Sequence, residues 1–438
     1  MGGYKTQIGA PMSPKMGTVW WATLLIFLCA LFVVVPDGAS PLVIWICLLV
    51  FYVCFAGAVR SPVKVGPIPS YINIKTLFLT FYYLLFYYPY QLFVLDLADI
   101  SSNAFVSRTF TEYTNASLVL STIALVAFNM GMRWEPLVKA RGDQFSRTAT
   151  SASHSRKLLS VLMLLQVLVT VGYFRTGWSS LFVESYATST TGDAQTDGLY
   201  FLMSHFSMMG IATALLFFYR FGRLPLTGIF ILLLSSAWGG ALLIAGDRNS
   251  FFLIAVVAAT CTFGWFIRAT RIALVGMFLF ALVLYNAVEI ARSSGERSLS
   301  SIINSIGADT PSTSSLEHGS LAITTATSRA ALYAVPDRYE YFWGKFKIIG
   351  FAGVIPFSRA VLVEQGDPLT TSSKVLGQTM LGSTATWGVG SNVVSDIYMD
   401  FGVPGVAIGM LLLGGFAKWV TRKAQIVHMY FKLQDAAQ

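Results

Sequence analysis

Apolar residues along this chain do not alternate with polar ones at a helical or strand period. They come in long runs joined by short polar connections. A helix rising 1.5 Å per residue needs about 20 such residues to cross a hydrocarbon core roughly 30 Å thick. Ten runs of this kind are present, at 18–36, 41–59, 75–95, 116–133, 157–174, 198–219, 225–245, 250–267, 272–290 and 396–417. The first is long, lacks a small-x-small cleavage site and is followed at once by another span, which predicts a retained helix rather than a removed leader. The pattern predicts an all-α polytopic membrane protein with about 10 transmembrane helices.

Composition agrees: 55% of residues are hydrophobic, 12% are charged and the mean hydropathy is +0.64, outside the range of a soluble domain. Charge sets the orientation. With the N-terminus in the cytoplasm, the inner segments hold 19 of the 30 Lys/Arg but 3 of the 21 Asp/Glu, as the positive-inside rule requires. The same bias explains the net charge of +9 through contacts with anionic headgroups, so no nucleic-acid partner is implied.

Both termini then face the cytoplasm, and one large periplasmic loop lies between the last two spans. Three regions are expected: a nine-span bundle over 1–290, the outer-face segment 291–395, and a last helix with a basic tail over 396–438. The segment begins Ser/Gly-rich and turns aromatic from about 320. It is expected to fold against the membrane through two or three short helices, one near 321–335 ended by Pro336 and others around 339–363. Tyr339, Tyr341, Phe342 and Trp343 belong near the interface.

The four cysteines, Cys29, Cys47, Cys54 and Cys261, all fall within predicted spans and read as small apolar residues. No CxxC, HExxH or clustered His/Asp/Glu pattern points to a metal, and no cofactor is expected.

The stretch IAGDRNSFFL, residues 244–253, puts Asp247 and Arg248 in a tight outer turn between two apolar runs. Asn249 and Ser250 are plausible caps for the following helix, whose N-terminal amides and positive dipole end face the same place as the guanidinium. An arginine there suits a phosphate, because its planar fork binds two oxygens and stays charged in a partly dry setting. The other reading is a structural turn in which Asp247 and Arg248 pair or snorkel. The outer segment adds Arg292, Arg297, Arg329, Arg338 and Arg359, against the usual topological bias, which favours an anionic ligand. Tyr339, Tyr341 and Trp343 can stack on sugar rings or form an interfacial belt. Arginines with aromatics at one membrane face suggest a lipid-linked diphosphate sugar.

Two further features stay open. His205 lies mid-span and is either functional or satisfied by a hydrogen bond. The run FYYLLFYYPYQLF at 81–93 either lines a lipid-tail groove or packs as a helix kinked at Pro89.

GDR opening a helix, then VIPFSRAVLVEQGDP, WGVGSNVVSDIYMDFGVPGVAIGMLLLG and a short basic tail, resembles the bacterial O-antigen and oligosaccharide repeat-unit polymerases, the Wzy family. In that pattern an acidic residue and an aromatic precede Phe-Gly-x-x-Gly, here Asp396, Tyr398, Phe401, Gly402 and Gly405. Arg359 stands two residues beyond the expected position beside Pro356, and Asp396 replaces the commoner glutamate.

The resemblance implies a fold similar to the GT-C glycosyltransferases. It also implies transfer of a growing glycan from undecaprenyl diphosphate onto the next lipid-linked repeat unit, at the periplasmic face of the inner membrane. The largest demand is stabilisation of charge growing on the diphosphate, which positioned arginines supply without a metal. Arg248 is the first choice, then Arg329 and Arg338, with Arg292 and Arg359 also placed to bind, and Tyr339, Tyr341, Trp343 and Tyr398 as sugar contacts.

The acceptor proton needs a base, for which Asp396, Glu340 and His318 are candidates. Asp396 is as well suited to cap the last helix, and Glu340 to pair with Arg338 or Arg329. A chain-length regulator and a flippase are implied partners. An O-antigen ligase, or a flippase for the same lipid-linked sugar, are the alternative functions.

Overall fold

The computed structural model describes residues 14–60, 63, 70–100, 108–133, 152–176, 194–245, 247–268, 270–293, 303, 320–352, 371–382 and 389–435. Apart from one bridge between Val63 and Ser70, the regular structure among these residues is helical. Helices stand at all ten predicted places. Six of them are long and apolar enough to span a membrane, or seven if a bent pair counts as one. The predicted first, eighth and ninth spans are helices with shorter apolar stretches, Val19–Val34, Asn249–Trp265 and Arg271–Ala281.

The chain forms two compact units. The first takes Met1–Ala58, Phe78–Leu137 and Ser312–Thr421. Its helices are α1 (Pro14–Val34), α2 (Pro41–Val59), α3 (Ile74–Phe86), α4 (Tyr88–Val94), α5 (Thr114–Arg133), α11 (Ser320–Ala334), α12 (Lys345–Ala352), α13 (Ser372–Leu381) and α14 (Val393–Asp435). The described residues from 320 to 395 thus pack into this unit. Two of the helices there answer the sequence expectation, and α13 was not anticipated.

α5 is the axis of the first unit, with 83% of its apolar window buried. Its sequence is consistent with this: Ser117, Ser121, Thr122, Ala124, Ala127 and Gly131 let neighbouring helices close on it, and its larger residues, Leu118, Ile123, Leu125 and Phe128 among them, are buried too. Helices in a membrane gain little from burying apolar surface, so close packing and hydrogen bonds hold them together. Both occur here. Tyr82 donates to the Ser121 carbonyl at 2.7 Å, while the Tyr87 and Tyr90 hydroxyls lie 3.0 Å from those of Thr122 and Ser117. The aromatic run at 81–93 therefore serves helix packing, with α3 and α4 bent by 50° and Pro89 in the first turn of α4.

The two ends of this unit are chemically distinct. At one end the 3₁₀ turn Thr111–Tyr113 is laced to the α1–α2 turn: Gly38 N donates to Glu112 O at 2.7 Å, and Asn115 Nδ2 donates to Pro36 O at 2.9 Å. At the other end the Arg133 guanidinium lies over Trp21 and Lys418 Nζ donates to Arg133 O at 3.1 Å.

The second unit takes Val59–Leu77, Val138–Pro311 and Arg422–Gln438. It contains α6 (Ala152–Thr176), α7 (Ala194–Phe221), α8 (Leu226–Ala245), α9 (Arg248–Trp265) and α10 (Arg271–Ser293). α7 packs against α6, α8 and α9. A buried amide ties three of these helices, since Gln166 Nε2 donates to Ser207 Oγ at 3.1 Å and to Ser235 Oγ at 3.0 Å. His205 points outward, its Nδ1 2.9 Å from the Phe201 carbonyl one turn back, which satisfies it locally.

Candidate functional site

α11 brings its arginine inward. Arg329 is 2% exposed, its Nε donates to Thr109 O at 2.8 Å, and its Nη1 is buried with no hydrogen-bond partner. No carboxylate pairs with it among the described residues. A buried guanidinium nitrogen without a partner costs free energy, which makes Arg329 the candidate that stands out in this unit.

Arg338 stands beside it in the fold. α11 ends at Ala334, before the cis Val335–Pro336 bond, as the proline predicts. The chain then reverses, with Arg338 N and Tyr339 N both donating to Ala334 O. This places the Arg338 guanidinium 4.5 Å over the Tyr333 ring, and Phe110 lies against Tyr333 with ring centroids 4.3 Å apart. Phe110 neighbours Thr109, the residue that holds Arg329. One turn, 109–110, therefore supports both arginines. Stacking fixes the Arg338 plane while leaving its side chain exposed.

A polar joint next to Arg329 fastens α11 to α14. Asn392, 8% exposed, donates through Nδ2 to Ser328 Oγ at 3.0 Å and Thr327 Oγ1 at 3.3 Å, while its Oδ1 accepts from Ser395 N at 2.9 Å. Asn392 is thus the cap of α14, one of the two roles, cap or base, for which Asp396 is equally suited by sequence. Asp396 lies in the first turn, half-buried, and its Oδ1 accepts from the Ser391 hydroxyl.

The Phe-Gly-x-x-Gly motif breaks α14. Gly402 has φ +66, and a Cβ there would meet the Tyr341 hydroxyl at 3.1 Å. Pro404 follows, at a place where a new helix start tolerates it. Just before the break, Asp400 is fully buried with its Oδ2 3.2 Å from Lys347 Nζ. Asp400 and Lys347 escaped sequence reasoning, and the only signal was an acid inside an apolar run.

The remaining candidates divide. Tyr398 is buried and donates to Val335 O at 3.1 Å, bracing the turn that carries Arg338. Tyr339 and Tyr341 are half-buried, and Trp343 is exposed. Glu340 is exposed and pairs with neither Arg338 nor Arg329. His318 and Arg359 lie outside the described residues.

In the second unit, Asp247 rather than Asn249 or Ser250 caps α9: its Oδ1 accepts from Ser250 N at 3.2 Å and its Oδ2 from the Tyr200 hydroxyl. Arg248 is the first residue of that helix, and Arg292 lies near the end of α10. Of these two arginines the backbone alone is described.

The fold and these residues define an integral membrane protein of packed apolar helices, with a buried guanidinium that has no carboxylate partner among the described residues. The family model for O-antigen polysaccharide polymerase Wzy matches residues 18–433, and the chain belongs to that family. Membership assigns it, in general terms, to O-antigen polymerisation, an activity of glycosyltransferase type. No curated protein and no solved structure matches the chain.

Proposed function

We propose that this chain moves a growing glycan from undecaprenyl diphosphate onto the non-reducing end of the next lipid-linked repeat unit, at the periplasmic face of the inner membrane. The acceptor hydroxyl attacks the anomeric carbon, the bond from that carbon to the diphosphate oxygen breaks, and the electron pair leaves with the lipid diphosphate. Charge therefore grows on phosphate oxygens, where preorganised donors lower the barrier most. Arg329 and Arg338 are assigned to that charge. Arg248 is assigned a phosphate at the N-terminus of α9, where the helix dipole adds to its own charge. The acceptor proton goes to a carboxylate, with Asp396 the first choice because Ser391 already orients it. Charge stabilisation comes from arginine, so no metal enters these steps.

The observation that carries the assignment is the unpartnered, buried Nη1 of Arg329. The test is incubation of the purified protein with lipid-linked repeat unit, followed by gel analysis, with and without a chelator. A ladder is expected in both cases for the native protein, and Arg329→Lys should reduce it at least about 100-fold, the scale of losing one transition-state donor. An unchanged ladder from Arg329→Lys would remove this residue from the chemistry, and loss of the ladder with chelator would replace the metal-free scheme.

A further inference from the structure

We infer that Trp343 and Glu340 form a sugar subsite for the acceptor glycan, a proposal that rests on the polymerase reading above. It starts from a strained residue. Trp343 has φ +51, a region that side-chain-bearing residues avoid, and it is followed by Gly344 at φ +85. Backbone strain of this kind persists only where the surroundings over-determine it, and it gathers at functional sites.

The surroundings here do over-determine it. The break at Gly402 leaves the last carbonyls of the first segment of α14 without helical donors, and the loop supplies them. Phe342 N donates to Met399 O at 3.0 Å, and Trp343 N donates to Asp400 O at 3.1 Å. The Asp400 side chain meanwhile holds Lys347, two residues into α12. A Cβ on Gly344 would lie 3.1 Å from Phe401, so the next residue is fitted closely too.

What this rigid loop presents is a bare indole. Trp343 is 73% exposed, while Phe346 a turn later is 8% exposed. Glu340, three residues earlier, is also exposed and makes no ion pair among the described residues. An exposed aromatic ring and an exposed carboxylate on one short loop, the latter without an ion pair among the described residues, are the groups that recognise a pyranose, the ring against its C–H face and the carboxylate accepting from its hydroxyls.

Position fits as well. Five residues separate Trp343 from Arg338, at most about 17 Å of extended chain. That puts an acceptor sugar within reach of a donor diphosphate held by Arg338. The competing occupant is the bilayer, since tryptophan also settles at membrane interfaces.

The test uses the full chain in lipid nanodiscs and, as probe, the repeat-unit oligosaccharide released by mild acid from the source cell's own lipid-linked pool. Binding is read by saturation-transfer NMR and by tryptophan fluorescence, taking the difference between the native chain and Trp343→Phe. The glycan should bind the native protein and perturb the Trp343 signal. Trp343→Ala should weaken binding and raise the acceptor KM by about tenfold, more than it lowers kcat, and Trp343→Phe should recover most of that loss. Should Trp343→Ala fail to fold, Glu340→Gln, at an exposed position, should raise the same KM several-fold.

A Trp343 signal quenched by brominated lipid and indifferent to glycan overturns the proposal, as does an unchanged acceptor KM in both variants. Binding is measured without turnover, so the two readings fail separately. Glycan binding without polymer sinks the polymerase reading alone, and polymer made with an unaltered KM sinks the subsite alone.

Discussion

Arg329 and Thr109 are 220 residues apart in the chain and joined by one hydrogen bond, from Arg329 Nε to the Thr109 carbonyl at 2.8 Å. That bond fixes the direction of the guanidinium while leaving Nη1 uncommitted. The arginine is therefore held by a neutral backbone group, and no carboxylate among the described residues cancels its charge. A carboxylate partner would have stabilised the fold better and bound an anion worse.

This arrangement separates stability from activity. Arg329→Met removes a buried charge that no carboxylate among the described residues neutralises and fills the space with an apolar chain, which offsets the loss of one hydrogen bond. Arg329→Met is expected to melt in detergent no lower than the native protein while making almost no polymer. A melting point well below native would mean that the guanidinium is structural.

Lys347 and Asp400 should behave in the opposite way. Asp400 is fully buried and Lys347 is 38% exposed, with 3.2 Å between charged atoms. Lys347→Met strands the carboxylate and should cost roughly 2–4 kcal/mol, discounted from a fully buried pair because Lys347 still reaches water. Lys347→Met with Asp400→Asn should cost much less than the two singles added together. A double-mutant cycle of thermal melts that proves additive would show that the two groups do not interact.

The sequence reading located the helices well, because a run of 20 apolar residues has few other fates. For the run at 81–93 it left a lipid-tail groove and a kinked helix both open, and the bend between α3 and α4 with Pro89 in the first turn of α4 answers to the second. What it missed was contact. Asn392 takes the cap, one of two roles left open for Asp396, because the helix starts three residues before the predicted span, and an Asn or Asp followed by an apolar run offers both choices. The turn at 109–110 that supports both arginines carries no local signal at all, since its role depends on contacts with residues more than 200 positions away.

The Asp247 cap makes a prediction about the second unit. Its two oxygens receive Ser250 N and the Tyr200 hydroxyl, so Asp247→Ala should cost about 1 kcal/mol and fray the first turn of α9. Asp247→Asn keeps an acceptor for the amide and should cost less. Hydrogen exchange at the amides of Asn249 to Phe251 is the readout: faster exchange in Asp247→Ala, and close to native in Asp247→Asn. If Arg248 holds a phosphate, polymer yield should follow the same order, because the cap sets where that residue sits.

α5 and α14 approach closely at two glycines. A Cβ on Gly131 would lie 2.1 Å from the Leu411 carbonyl oxygen, and one on Gly414 would lie 2.1 Å from that of Phe128. Both obstacles are backbone, so no rotamer change relieves them, and the helices must move apart. Apolar burial does not drive association in lipid, so separation forfeits dispersion contacts along the whole seam. Gly131→Ala and Gly414→Ala are each expected to destabilise by about 2 kcal/mol, seen as a lower melting point in detergent. Gly415 is the control: a Cβ there meets nothing within 4 Å, and replacing a helical glycine by alanine should stabilise by about 0.5–1 kcal/mol. Substitutions at adjacent glycines of one helix should thus move the melting point in opposite directions, and a drop at Gly415→Ala as large as at Gly414→Ala would refute this account of the seam.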